Sequence, residues 1–308
     1  MTDTALTPSR SSLNPFSGLF SGTVGPVIVV VAAILAIWYI AAVALNTPFQ
    51  EELYKRADLT DVPISQLVTD TLAQERPVLP APHQVIVEIW NTTVEKKITS
   101  KRSLVYHSGI TLSSTLLGFL IGTTLGILLA VGIVHSQVLD KSLMPWVISS
   151  QTIPILAIAP MIIVVLNAVG ISGLLPKAMI STYLSFFPVT VGMVKGLRSP
   201  EIMHMDLMHT YSASRLQTFW KLRLPYAVPY LFTSMKIGMA ASLVGAIVGE
   251  LPTGAVAGLG ARLLAGSYYG QTVQIWSALI MAAILAGTLV ALIGLLETLT
   301  LKRMGMVR

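Results

Sequence analysis

The 308-residue chain contains no cysteine. That excludes a disulfide framework and any thiolate-ligated metal, and leaves the redox compartment open. Charge is scarce too: Asp, Glu, Lys and Arg make up 11% of residues, against 54% hydrophobic, and mean hydropathy is +0.74. Soluble domains carry about 25% charged residues, so an ordinary soluble fold is excluded. No Gly-x4-Gly-Lys-Ser/Thr phosphate loop is present, so this chain has no such means of holding a nucleotide. His83, His107, His135, His204 and His209 show no metal-ligand spacing with nearby carboxylates, and no nucleophile motif occurs. A membrane-embedded enzyme would need acids, histidines or a nucleophile around one cavity, and the pattern offers none. The net charge of +6 reads as basic membrane loops rather than a nucleic-acid surface.

What remains is a succession of apolar runs of about 20 residues, the length that crosses a bilayer. Six are expected, at 24–45, 109–134, 143–170, 174–194, 230–251 and 275–296. The third is expected to be bent or broken by Pro145, Pro154 and Pro160. The first run is longer than a signal-peptide core and follows a long polar leader, so it reads as a retained helix. The fold class is therefore all-α: a polytopic membrane protein with six transmembrane helices. Lys195, Arg198, Arg215, Lys221 and Arg223 in 195–229, with Lys302, Arg303 and Arg308 in the tail, place that loop and both termini inside.

The expected organisation is a cytoplasmic leader (1–23), a first helix (24–45) and an extracytoplasmic excursion (46–108). A core (109–301) then holds five helices, and a cytoplasmic tail (302–308) follows. Within the excursion, 51–76 shows no long amphipathic pattern and reads as surface chain. Leu79-Pro80-Ala81-Pro82 is a stiff connector. Residues 83–96 predict a helix along the membrane with Ile86, Trp90 and Val94 on one side.

The loop 195–229 carries its own signals. Ser199-Pro200 predicts a helix start, with Leu207, Met208 and Tyr211 on one face. Ser212 or Ser214 suits the cap of a second short helix bearing Leu216, Phe219 and Trp220, which Pro225 is expected to end. Apolar groups on such a loop must bury against the chain's own helices, lipid or a partner. Gly118, Gly122 and Gly126 recur every four residues and permit close helix approach. Gln151, Thr152, Asn167 and Ser185 are polar groups in apolar runs that either line a pathway or satisfy local hydrogen bonds. Lys236 is expected to snorkel, and Glu250 either to serve a gate or to face water.

The segment from Asp206 to Arg215, followed by Leu222-Arg223-Leu224-Pro225, resembles the coupling loop of ABC importer permeases, which runs Glu-Ala-Ala, Gly three residues later, then Ile-x-Leu-Pro. The resemblance extends from about residue 79 to the C-terminus, and is specific to the nitrate/sulfonate/taurine/bicarbonate type. Leu79-Pro80-Ala81-Pro82 is similar to that group's Leu-Pro-x-Pro entry. His107, then Thr111-Leu112-x-Ser114 and Gly118-Phe119, resembles its second-helix opening. Gln151-Thr152-Ile153-Pro154, Gly170-Ile171-Ser172, Phe186-Phe187-Pro188, Gly249-Glu250 and Gly258-Leu259-Gly260 follow in the family's order. Asp206 stands where the family has Glu, Leu207 and Met208 where it has two alanines, Ser212 where it has Gly, and Leu222 where it has Ile. The bulkier coupling helix would need a partner surface shaped for it.

The resemblance implies a type I ABC importer permease in a bacterial cytoplasmic membrane, a pore subunit and not an enzyme. Its implied partners are two cytoplasmic ATPase subunits that bind ATP and Mg, a second permease copy, an extracytoplasmic solute-binding protein and membrane lipid, with no nucleic acid. This chain itself holds no cofactor. Asp206, Leu207, Met208, Tyr211, Ser212, Arg215, Phe219, Trp220, Leu224 and Pro225 would couple to the ATPase. Gln151, Thr152, Pro154, Asn167, Ser185 and Glu250 would line the pathway. The cargo implied is a small polar solute, an anion or a heterocyclic vitamin precursor. Residues 46–78, long for the family, are expected beside the docking surface of the binding protein. The rival class is an ion-coupled secondary transporter, which would need an ion site near the midplane.

Overall fold

The computed structural model describes residues 24–59, 61–252 and 257–306. The leader and the last two residues expected in the tail lie outside the described residues. Helices account for all the regular structure among those described: α1 (Val24–Arg56), α2 (Ile64–Leu72), α3 (Pro82–Trp90), α4 (Leu104–His135), α5 (Gln137–Ser149), α6 (Ile155–Ala168), α7 (Leu174–Leu197) and α8 (Ile202–Thr210). There follow α9 (Arg215–Glu250), α10 (Leu259–Tyr268) and α11 (Thr272–Arg303). Among the described residues five helices are long and apolar enough to span a membrane, and six spans result when the bent pair α5–α6 is one.

The chain divides into two compact units, one ending at Gln84 and one beginning at Val85. In the first, α1 runs on past the expected end at residue 45 to Arg56, and α2 adds helix where surface chain was expected. The cause is tertiary. Asn46, buried, donates from Nδ2 to the Leu79 carbonyl (2.8 Å) and accepts the Leu79 N–H on Oδ1 (3.0 Å). Trp38 Nε1 donates to the Pro80 carbonyl (3.0 Å), and Tyr54 donates to Asp70 Oδ2 (2.5 Å). The bonds to Leu79 and Pro80 satisfy a proline-rich connector that cannot make its own ladder, and the one to Asp70 ties α1 to α2.

The second unit is built on α4, α7 and α9, which meet through small residues. A Cβ added at Gly118 would stand 2.3 Å from Ser181 Cβ, and one at Gly245 would stand 2.7 Å from Ser181 Cα. Ser181 on α7 therefore sits in contact with glycines of both neighbours. Lower on the same helix, Gly192 faces Ser234, and Gly196 faces Ala227. Where lipid is as apolar as leucine, such backbone proximity replaces the hydrophobic effect as the source of helix association.

The expected break in the third span is real, and it falls at one proline of the three. The helices α5 and α6 bend by 102° at the Ile153-Pro154 junction, while Pro145 and Pro160 lie inside helices. Pro154 has no N–H to give the carbonyl four residues earlier, that of Ser150. Tyr183 from α7 donates its hydroxyl to that carbonyl instead. A freed carbonyl is thus re-satisfied by a neighbouring helix, as a membrane interior requires. The helix expected at 83–96 comprises α3 and a wider turn, Asn91–Glu95, with Ile86, Trp90 and Val94 all exposed.

Candidate functional site

The loop 195–229 forms two short helical pieces joined by a tight turn. Glu201, not Ser199, occupies the N-cap of α8, and the Ser199 hydroxyl donates back to the Gly196 carbonyl (2.7 Å). The expected start at Ser199-Pro200 is thus corrected: that serine finishes α7 instead. At the other end, the Ala213 N–H reaches the Met208 carbonyl (2.9 Å), and the Ser212 N–H reaches that of His209 (2.8 Å). This is a Schellman arrangement, and Ser212 carries its left-handed residue at φ 51°. The position where the family pattern has glycine is the position whose backbone favours glycine.

Ser214 then caps the next helix. Its Oγ accepts the Gln217 N–H (3.2 Å), and Gln217 Oε1 accepts the Ser214 N–H (2.8 Å), a reciprocal capping box. The helix expected to end at Pro225 does not end there. A wider turn over Phe219–Arg223 leads into Leu224–Glu250, giving one helix of 36 residues from Arg215 to Glu250. Pro225 lies in the first turn of the α-helical stretch, where its missing N–H matters least.

The side chains of this region divide sharply. Phe219 is buried among Ala130, Ile133, Met193, Val194, Leu197 and Ala227, with Leu224 packed against the same cluster. Ile202, Met203, Leu207, Tyr211, Leu216 and Trp220 are instead between 50% and 80% exposed. Asp206, Ser212 and Arg215 are exposed as well, and Met208 and Pro225 are half-buried. Of the coupling residues expected, Phe219 and Leu224 thus anchor the loop, while Leu207, Tyr211 and Trp220 face outward. Ile202 and Met203 belong to the same apolar surface and were missed. Their signal was present, since both are large apolar residues beside Leu207 in a polar loop.

The pathway residues do not form one group. Gln151, Thr152, Pro154 and Asn167 are exposed on the bent pair. Ser185 is fully buried, with its hydroxyl directed to the carbonyls of Thr182 (3.3 Å) and Gly118 (3.4 Å). It lies in the contact of α4 with α7, so its expected place along an open pathway is corrected. Gly118, Gly122 and Gly126 all face α7 in that same contact.

Glu250 is corrected too. It neither faces water nor lines an opening; it is 0% exposed at the end of α9. Its carboxylate accepts the Thr111 hydroxyl (2.9 and 3.0 Å) and, on Oε2, the Gly260 N–H (2.8 Å). Thr111 Oγ1 in turn accepts the Leu259 N–H (2.9 Å), and His107 Nδ1 accepts that of Gly258 (2.9 Å). His107 Nε2 lies 2.9 Å from the Lys101 carbonyl, so the ring carries its proton on Nε2. Three consecutive backbone donors at the start of α10 are therefore held by side chains of α4 and α9. The glycines make this approach available: a Cβ at Gly258 (φ 130°) would lie 2.2 Å from the Glu250 carboxyl carbon, and one at Gly260 2.4 Å from the Ile247 carbonyl. The sequence signal for it was the four-residue step from His107 to Thr111, one helical face.

Two further charged pairs bear on the site. Lys236, expected to snorkel, instead forms an ion pair with Glu297 of α11. Arg262 of α10 stands 3.8 Å from Glu88 of α3. Burial raises the Glu88 carboxyl above its ordinary range, partly opposed by Arg262, and burial likewise lowers the Arg262 guanidinium, partly opposed by Glu88.

Comparison with known proteins bears on the whole arrangement. Residues 122–306 match the family described as binding-protein-dependent transport system inner membrane component. The chain is 32% identical over 225 residues to a riboflavin transport system permease protein of Chloroflexus aurantiacus, covering 73% of this chain and 80% of that protein. It is 30% identical over 184 residues to a formylaminopyrimidine transport permease protein of Halalkalibacterium halodurans, covering 59% and 68%. A putative aliphatic sulfonates transport permease protein of Bacillus subtilis is 24% identical over 225 residues, covering 73% and 78%.

Proposed function

Because this chain belongs to the binding-protein-dependent transport system inner membrane components, we propose that the exposed apolar face of α8 and the start of α9 is where it receives work from an ATPase. The chain is a permease subunit of an ABC importer for a small solute, a multi-span inner-membrane protein that works with an ATPase and a binding protein. The observation that carries the coupling reading is the division within one loop. Phe219 and Leu224 root it in the core, while Ile202, Met203, Leu207, Tyr211, Leu216 and Trp220 offer apolar surface outward. Large apolar side chains left exposed on a polar loop point to a partner interface.

In the full assembly two copies of the permease pair across the bent helices α5 and α6, and two ATPase subunits bind ATP and Mg on the cytoplasmic side. The basic residues of the loop 195–229 and of the tail support a cytoplasmic position for that face and for both termini. Gln151, Thr152, Pro154 and Asn167, exposed on α5–α6, line the route between the two copies. The cargo is a small heterocyclic solute of the vitamin or vitamin-precursor class. Support comes from the relatives at 30–32% identity, named for riboflavin and formylaminopyrimidine, against 24–26% for those named for sulfonates and nitrate. Lys236 in the spans is already paired with Glu297 and offers an anion no free charge.

The test is affinity purification from native membranes, with co-purifying subunits identified and ATPase activity assayed. An ATPase is expected to accompany the native chain and to be lost with Trp220→Ala or Asp206→Lys. Because both side chains are exposed, thermal unfolding should stay unchanged. Solute transport by the chain alone in liposomes without ATP would overturn the proposal in favour of an ion-coupled carrier.

A further inference from the structure

One helix connects the two places where this chain is most unusual. Its first turns carry Arg215, Leu216 and Trp220 on the exposed apolar face. Its last residue is Glu250, buried and bonded to the start of α10. At 1.5 Å per residue the 36 residues span about 54 Å, more than the thickness of the hydrocarbon core. The wider turn Phe219–Arg223 and Pro229 lie near its coupling end, and from there the helix runs on to Glu250, so a displacement that reaches the stretch beyond Pro229 is delivered to Glu250.

We propose that Glu250, Thr111 and His107 form a latch on the start of α10, at Gly258, Leu259 and Gly260, released when the coupling end of α9 is moved; the proposal rests on the coupling reading given above. The geometry is that of a helix cap supplied in trans. The first N–H groups of any helix lack intrahelical partners. Here Gly258, as N-cap, brings no side chain, and the donors of Gly258, Leu259 and Gly260 are taken by His107 Nδ1, Thr111 Oγ1 and Glu250 Oε2. A carboxylate at a helix N-terminus is further favoured by the helix dipole.

The acceptors belong to two different helices. His107 and Thr111 ride on α4, and Glu250 ends α9, so any shift of α9 along or about its axis pulls one acceptor away from the other two. The Thr111 hydroxyl bridges the halves, donating to Glu250 and accepting from Leu259. Breaking the bridge leaves both a buried carboxylate and a buried N–H short of a partner, each costly in a dry site. That makes the arrangement two-state rather than graded: it is fully made or exchanged for water. Leu259, 0% exposed beside Leu104, Ala278 and Ala282, is the side chain that release would uncover. These are positioning residues, since nothing places them against the solute.

The absence of cysteine makes the test direct. Leu259→Cys in the otherwise native chain, assembled with its ATPase and binding protein, is labelled with a membrane-impermeant maleimide applied to the face opposite the coupling loop. Labelling is expected to be slow without nucleotide and several-fold faster after trapping with ATP, Mg and vanadate. Ala261→Cys, also buried, repeats the measurement with a smaller change of volume. Adding Thr111→Val should make labelling fast without nucleotide and reduce uptake while ATP hydrolysis continues. Equal labelling at both positions in all nucleotide states would show a static cap and overturn the latch. Failure of the ATPase to assemble on the native chain would instead overturn the coupling reading, and the two failures are told apart by the ATPase assay.

Discussion

Gly122→Ala should destabilise the core through a single atom, and removing that atom should reverse most of the loss. A Cβ at Gly122 would stand 2.1 Å from Ser185 Oγ, then 3.1 Å from the Thr182 carbonyl and 3.2 Å from the Phe186 nitrogen. Replacing glycine by alanine inside a helix gains about 1 kcal/mol on propensity alone. Overpacking at such a contact costs roughly 1–3 kcal/mol, so the net change should be a loss of up to about 2. Ser185→Ala alone forfeits only long hydrogen bonds of 3.3 and 3.4 Å and should cost well under about 1 kcal/mol.

The double variant should then recover most of the loss, a coupling energy on the order of 1–2 kcal/mol between the two sites. Gly118→Ala is the counter-case. Its Cβ would meet Ser181 Cβ at 2.3 Å and the Ala178 carbonyl at 2.6 Å, atoms that Ser181→Ala leaves in place. No rescue is expected there. Gly109→Ala, with nothing within 4 Å, should be neutral or stabilising. Equilibrium unfolding by SDS in mixed micelles, followed by the fluorescence of the five tryptophans, measures these single and double variants and the native chain. Rescue at Gly118 equal to that at Gly122, or a cost at Gly109 equal to either, would refute the reasoning.

Ser212→Gly should stabilise the turn after α8 by about 1 kcal/mol, because it removes the left-handed strain of a residue with a Cβ. The readout is hydrogen exchange at Ala213, whose N–H closes the turn and should exchange roughly fivefold more slowly. Neutralising either Lys236 or Glu297 alone should destabilise the α9–α11 contact by about 2 kcal/mol, less than a fully buried pair because both groups keep some exposure. The joint replacement Lys236→Met with Glu297→Leu should restore most of that stability in the same SDS titration, and a double variant as weak as the sum of the singles would show no coupling between the two groups and refute the prediction.

Much of this protein could be read from its residues in order. Apolar runs of membrane-crossing length dictate helices, since only a helix or a closed barrel satisfies every backbone group in lipid. Ser214 with Gln217 three residues on is a capping signal strong enough to be read locally. The order of short motifs from Leu79 to Gly260 is enough by itself to point to the permease family. What sequence could not supply was anything set by contacts between distant segments. Asn46 in the extended part of α1 bonds to Leu79, and the Ser150 carbonyl freed at the Pro154 bend finds the Tyr183 hydroxyl as its donor. Pro225 begins a long helical stretch instead of ending a short one because its first turn tolerates the missing donor. Glu250 looked like a boundary carboxylate, and only packing buried it under Gly258 and Gly260. Local sequence determined the membrane-crossing helices, through propensity and hydrophobicity, both short-range. The tertiary structure decided where those helices bend, join and lock, because an orphaned polar group finds its partner only across the fold.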